Sequence, residues 1–319
     1  MSDEILISQL KHPLTGSEAP VVDARAEFAR MAAAHPIDPI HRAGFIAARR
    51  RRAEASPHLS PDEKAAWLAR FNAARPSEGP APDATVSGVG FGFDYQHAFN
   101  VNYANGTAIT FQVICPNMPG GNVQNNLYLT ATNRTTRGLE VYINYFGANN
   151  LGLLSVYDWS LGVTSVQAGF VMSIFFPNLG RYFIPLSTHG QIVQTLYVHN
   201  VTFQIANAKW TNQGMLFNLA AQTWDLIYSS TYKAALADQQ AVGFLGSWGP
   251  IIETHEAPGF IYSGTNTMGF MQSQVSITDG AGTPVNLILL DPSNTIQRGP
   301  TSGYQVSFLN PNYDWAAFS

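Results

Sequence analysis

From Thr85 to the C-terminus the chain is an almost unbroken series of short segments in which apolar residues alternate with uncharged polar or aromatic ones. Gly, Asn and Pro separate them. A period of two puts successive side chains on opposite faces, as in a half-buried strand, and it leaves little room for long helices. Such segments recur near 86–93, 98–104, 107–114, 126–132, 139–146, 153–158, 167–176, 181–187, 191–199, 201–206, 214–219, 223–229, 245–255, 268–278, 284–290 and 304–309. Short strands at this spacing predict a mainly β fold: a large antiparallel two-sheet sandwich of the jelly-roll type and concanavalin-like size. No repeat of fixed period accompanies them, which argues against a propeller.

The clearest hairpin lies in the region from Trp210 to Glu256, which holds Trp210, Trp224 and Trp248 among the six tryptophans. Met215, Phe217 and Leu219 alternate with Leu216 and Asn218; Trp224, Leu226 and Tyr228 alternate with Asp225 and Ile227. Ala220–Thr223 has the length of a hairpin loop. Tyr232–Gln240 is the one helical candidate after residue 85, an excursion too short to suggest a parallel α/β fold.

Residues 1–83 differ in kind. Of the 17 Lys and Arg and 21 Asp and Glu, this stretch carries 11 of each. Val21–Ala34, rich in Ala and Arg, predicts a helix that stops at His35-Pro36. A second run follows Pro39 and ends near Ser56-Pro57. Ser60-Pro61-Asp62-Glu63 has the cap, proline and acid of a helix start, and its helix runs to about Ala74. Residues 75–85 are a Pro/Gly/Ala linker, so the chain divides into a helical extension with linker (1–83) and a β-sandwich domain (84–319). The extension suits a pro-segment, an oligomerisation arm joining copies through its helices, or a cover for a sheet edge. Arg49–Arg52 reads as a solvated helix face.

The remaining 236 positions hold 10 acids and 6 bases, so they account for the whole net charge of -4. So weak a field does not attract a polyanion, and nucleic acid is excluded as a partner. No apolar run is long enough for a membrane span. Low charge with many Asn, Thr, Gly and Tyr favours a secreted or cell-surface protein, although the N-terminus lacks a signal-peptide pattern. Cys115 is the single cysteine, so no intrachain disulfide forms.

Chemistry is sought among the scarce acids. Glu140, Asp158, Asp225, Glu253 and Glu256 lie in or beside apolar strands. The pair Glu140 and Glu253 is the candidate catalytic pair, one as acid and the other as nucleophile or base. Polar positions of the same strands, Tyr142, Asn144, Tyr197 and His199, together with Trp248 and His255, are the candidate substrate-binding residues. Amide and hydroxyl groups match sugar hydroxyls, and aromatic rings stack on sugar C–H faces. His189, His199 and His255 fit no metal spacing, ETHE is not HExxH, and no nucleophile elbow or phosphate loop is present; no metal or cofactor is expected. The leading reading is a glycan-interacting sandwich that binds or hydrolyses a neutral polysaccharide on a polar sheet face. The alternatives are a carboxylate-dependent peptidase of the glutamic type with an N-terminal pro-segment, acting on a peptide substrate, and a structural or assembly jelly roll.

Overall fold

A computed structural model describes residues 10, 12–13, 15–34, 61–62, 65, 89–95, 107–114, 126–132, 138–146, 151–162, 166–188, 191–206, 209–233, 251–255, 269–278, 284–287, 295–298, 305–310 and 314–318. The second helical run, the linker, the strand near 98–104, Cys115 and Trp248 lie outside the described residues, as does most of the helix opened at Ser60. The protein is mainly β, with two sheets packed face to face and a short N-terminal helix, α1 (Arg25–Ala34).

One sheet runs in the order β1 (Val21–Asp23), β11 (Thr223–Lys233), β10 (Lys209–Asn218), β9 (Gln191–Ala206), β3 (Thr107–Ile114), β13 (Gly269–Thr278), β17 (Asp314–Phe318), β16 (Gln305–Asn310). To it β8 (Ile184–Thr188) adds on β9 and β14 (Pro284–Leu287) on β13, making ten strands. The other sheet has seven: β15 (Thr295–Arg298), β2 (Val89–Tyr95), β12 (Ile251–His255), β4 (Asn126–Thr132), β5 (Leu139–Phe146), β6 (Leu151–Asp158), β7 (Phe170–Phe175). Every recorded pairing is antiparallel except that of β1 with β11.

The layers meet where β4 and β5 cross β3, β9 and β10. Leu139 and Val141 point at Gly214, where an added Cβ would come within 3.0 Å of both side chains. Val156, Met172, Leu154 and Ile174 share that inner face by register, and all are buried. The ten-stranded sheet is also covered on its outer side. There Leu10 and Ala19 join Tyr197, Met215, Phe217, Trp224 and Leu226 in one buried cluster.

The hairpin forms as expected, with its turn at residues 219–222. Asn218 builds it: its Oδ1 accepts from the amides of Ala220 (3.2 Å) and Ala221 (3.1 Å), while its carbonyl accepts from Gln222 (2.8 Å). Gln222 takes the left-handed φ of 58°.

Four details depart from the sequence reading. Val21–Asp23 is a strand because β11 offers it an edge, so the helix begins only at Arg25. The segments 191–199 and 201–206 are one 16-residue strand, since the ladder to β10 passes through Asn200 opposite Gly214 without a break. A bulge between Gly214 and Met215 pairs Tyr228 with Gly214 and Leu226 with Met215, which moves Tyr228 to the inner face, away from Trp224 and Leu226. Tyr232 and Lys233 continue β11 in place of a helix start; residues 234–240 lie outside the described set.

Candidate functional site

The predicted residues fall on two outer faces of the sandwich. Glu140 and Tyr142 alternate with the inward Leu139 and Val141, so they lie on the far side of the seven-stranded sheet. Tyr197 and His199 lie on the far side of the ten-stranded sheet: Tyr197 belongs to the cluster with Phe217 and Trp224, and His199 pairs with Met215. The structure therefore separates these two pairs by the full thickness of the molecule. All four side chains are buried.

On the seven-stranded sheet one row is continuous across every strand: Arg298, Gly92, Ile251, Thr130, Tyr142, Ser155, Ser173. Ser155 and Ser173 share a hydrogen bond of 2.8 Å within it. Two residues along β12, Glu253 stands between Gly90 and Tyr128, and His255 is opposite Asn126. Asn144 lies two positions beyond Tyr142 on β5 and keeps its parity. The side chains of Asn144, Glu253 and His255 lie outside the described residues, as does the whole of Trp248.

Glu140 and Glu253 thus share a face but not a row. Glu140 is opposite Thr132 of β4 and Glu253 opposite Tyr128. Four residues along β4 and two strand spacings across it put their backbones on the order of 16 Å apart. The carboxyl groups of a glycosidase pair, one acting as acid and the other as nucleophile or base, stand about 5 to 9.5 Å apart, a distance between side-chain ends and not between backbones.

The acid end of this face is closed over. Tyr157, opposite Glu140, stacks edge-on with Trp159 (4.8 Å) and Phe170 (5.0 Å). A short helix, α2 (Trp159–Gly162), and the 3-10 turn Val166–Gly169 wrap its ring so tightly that a Cβ at Gly162 or Gly169 would overlap it. Those two glycines exist because the phenol ring occupies the space.

The most elaborate polar centre lies between the sheets, around a carboxylate that the sequence singles out but does not pair. Asp158 ends β6 and is fully buried. Its Oδ1 accepts from the Ser160 amide (2.8 Å), the Ser160 hydroxyl (2.6 Å) and Asn212 Nδ2 (3.1 Å). Its Oδ2 accepts from the hydroxyls of Tyr228 (2.7 Å) and Ser230. Burial, and then the charge of Asp158, push the Tyr228 phenol well above its ordinary range. Asn212, Tyr228 and Ser230 come from β10 and β11, so this one side chain joins the two sheets. With its lone-pair sites filled it is a clamp between the layers.

Asp225 forms a second centre at the sandwich edge. It accepts from Tyr182 (2.7 Å), Asn218 (2.9 Å) and Thr223 (2.8 Å). Arg181 donates to the Tyr182 hydroxyl (2.8 Å) and pairs with Glu27 of α1 (2.8 Å). Burial, followed by the hydrogen bond to Asp225, raises the Tyr182 phenol.

His199 is a third buried polar group. Desolvation lowers its pKa to about 3, so the ring is neutral across the physiological range. It lies 5.7 Å from the Trp224 ring. Burial alone pushes Tyr197 up to about 12. Among the described residues no three His, Cys, Asp or Glu side chains gather as a metal-binding group, and no helix is long and apolar enough to cross a membrane.

Sequence reasoning missed Asn212, Tyr228, Ser230 and Tyr182 as partners of acids. An aspartate ending an apolar strand was the available signal for Asp158; nothing local announced donors 54 to 72 residues away.

No family model matches the sequence, and no curated protein is similar to it. Among solved structures, the chain is similar to the crystal structure of Scytalido-glutamic peptidase with a peptide-based transition-state analog, at 10% identity and a TM-score of 0.37. That match covers 73% of this chain and 97% of the peptidase.

Proposed function

We propose that the protein binds a neutral glycan chain laid across β12, β4 and β5 on the outer face of the seven-stranded sheet, with Glu253 at its centre. The observation that supports this reading is the register. It brings Asn126, Tyr128 and Thr130 of β4, Asn144 of β5, and Glu253 and His255 of β12 to one face. Beside them β2 contributes Gly90 and Gly92 opposite Glu253 and Ile251. Two glycines leave the strand backbone open to close approach by a polymer. Residues bearing amide, phenol, hydroxyl, imidazole and carboxylate groups on one face suit a substrate made of hydroxyls. Trp248, three residues before β12 in sequence, is the candidate ring for stacking on the sugar.

Glu140 and Tyr142 take a supporting part, since both are buried beneath the closed end. Tyr197 and His199 lie on the other sheet and take none.

The test is binding to a panel of fluorescent β-glucan, xylan, mannan and chitin oligomers. Native protein is expected to bind at least one member saturably, with Tyr128→Ala and Trp248→Ala each roughly tenfold weaker, about 1 to 2 kcal/mol per lost ring. Product release that stops in Glu253→Gln would make the face hydrolytic. Absence of binding to every oligomer, with acid-pH cleavage of an unfolded protein that is lost in Glu253→Gln, would replace the glycan by a peptide and the binder by a carboxylate-dependent peptidase.

A further inference from the structure

Residues 10–34 touch the sandwich in three ways, each of a kind that a separate peptide could make. The first is a strand added to an edge. β1 lies parallel to β11, with the Trp224 amide donating to the Pro20 carbonyl (2.9 Å) and the Ala24 amide to that of Leu226 (3.0 Å). The second is an apolar patch: Leu10 and Ala19 sit on Tyr197, Met215, Phe217, Trp224 and Leu226, and the His12 ring meets Phe217 edge-on at 4.6 Å while bonding Gln222. The third is α1, whose only buried side chain, Phe28, packs 5.7 Å from Tyr182 while Glu27 pairs with Arg181.

The segment is largely shaped by itself. His12 N donates to Ser17 O (2.7 Å), Gly16 N to His12 O (2.9 Å) and Ala19 N to Leu10 O (2.8 Å), closing a compact loop whose tightest point is Gly16 at φ 70°. The receiving surface is supplied by β9, β10, β11 and the 3-10 turn Phe176–Tyr182. Residues 35 to 88, a connection of 54 residues, separate the segment from β2. A connection of that length allows release and return without dictating either.

We propose that the outer face of β11 and the edge it shares with β1, with β9 and β10, form a peptide-binding groove of which residues 10–34 are the built-in, releasable occupant. Its ligand chemistry follows from that occupant. It takes an extended segment that pairs in parallel with β11, presents aliphatic side chains at the places of Leu10, Ala19 and Val21, and continues into a helical turn carrying an acid and then a phenylalanine. Release would uncover Tyr197, Phe217 and Trp224 together.

The acid in the helical turn makes docking sensitive to pH. Glu27 faces Arg181 and, through it, Tyr182 of the 3-10 turn and Asp225 of β11; Arg30 lies on α1 itself, and β7 brings no charged residue. The Arg181 hydrogen bond holds the Glu27 carboxyl below its ordinary range. The ion pair is therefore complete above the ordinary carboxylate pKa and is lost as pH falls through the lowered one.

Two measurements on the intact chain test this. By native-state hydrogen exchange, the amides of Ala19, Ala24, Phe28 and Trp224 are expected to open together, ahead of the β9–β10 amides. A fluorescent synthetic peptide of residues 10–34 is expected to bind saturably, at least tenfold more weakly with Phe28→Ala. With Glu27→Gln binding is roughly twofold to fivefold weaker at neutral pH, as for a half-exposed ion pair, and shows no further Glu27-linked loss on acidification. Exchange of those four amides only with global opening overturns the proposal, whatever the peptide does. So does early opening without saturable peptide binding, which would leave the segment a fraying terminus and the groove no site at all.

Discussion

Asp158 shows how a single side chain can hold two layers together. It carries a charge into the interior, meets no cation among the described residues, and is met instead by five donors from three segments. Burial of a charge is tolerated only when its hydrogen-bonding capacity is filled. Asp158→Asn keeps the shape but turns one acceptor into a donor that faces donors. It is expected to cost about 2 to 4 kcal/mol, read as a lower denaturant midpoint at unchanged slope. His199 sets a different test. Its imidazole is neutral in the fold down to about pH 3, while an unfolded histidine takes up its proton near ~6.5. The unfolded state then binds more protons in that window, so stability falls as pH drops through it and is intact above it. Between pH 7 and pH 4 the loss attributable to this residue is on the order of 3 kcal/mol. His199→Phe should flatten the stability profile there; an unchanged profile would mean that the ring is reached by water in the folded protein.

Strands were the most legible part of this chain, and the reason lies in their periodicity. Leu139, Val141 and the polar residues between them announce β5 locally, because one face must be apolar to meet the other sheet. What the alternation does not carry is which strand lies beside which, and the four departures described above all arise there. β1 exists only because β11 has an edge to offer; the 16-residue β9 runs straight through Asn200, which read locally as a stop. The bulge at Gly214 is a third instance, since it turns Tyr228 toward Asp158 and so creates the clamp. Gly214 itself is a residue whose need is visible only across the layers. A side chain there meets Val141 and Leu139, and Gly214→Ala is expected to destabilise by about 1 to 3 kcal/mol through overpacking. Thermal unfolding would measure it, and recovery in the double variant with Val141→Ala would locate the strain.

At the scale of the whole molecule, the candidate site was legible as chemistry but not as place. Scarce acids in or beside apolar strands pointed to Glu140, Asp158, Asp225, Glu253 and Glu256, and the three whose side chains are described, Glu140, Asp158 and Asp225, are buried. Sequence alternation says that Tyr142 and Tyr197 each oppose a core residue; it is silent on the fact that their strands belong to different sheets and their faces look in opposite directions. A polar position was expected to be a solvated one, yet both outer faces carry further cover, from α2 with its 3-10 turn on one side and from residues 10–20 on the other.

The parallel strand β1 has one more consequence. β11 is 11 residues long and without β1 would be the margin of a nine-stranded sheet, a row of amides and carbonyls open to any other extended chain. Three residues of β1 cover its most apolar part, Trp224 to Leu226, and what they leave uncovered is mostly Ser, Thr, Tyr and Lys. A molecule whose N-terminal segment has been cut away would therefore keep its sandwich but offer neighbouring copies a sticky seam, and proteolysis during storage would show first as edge-to-edge aggregation.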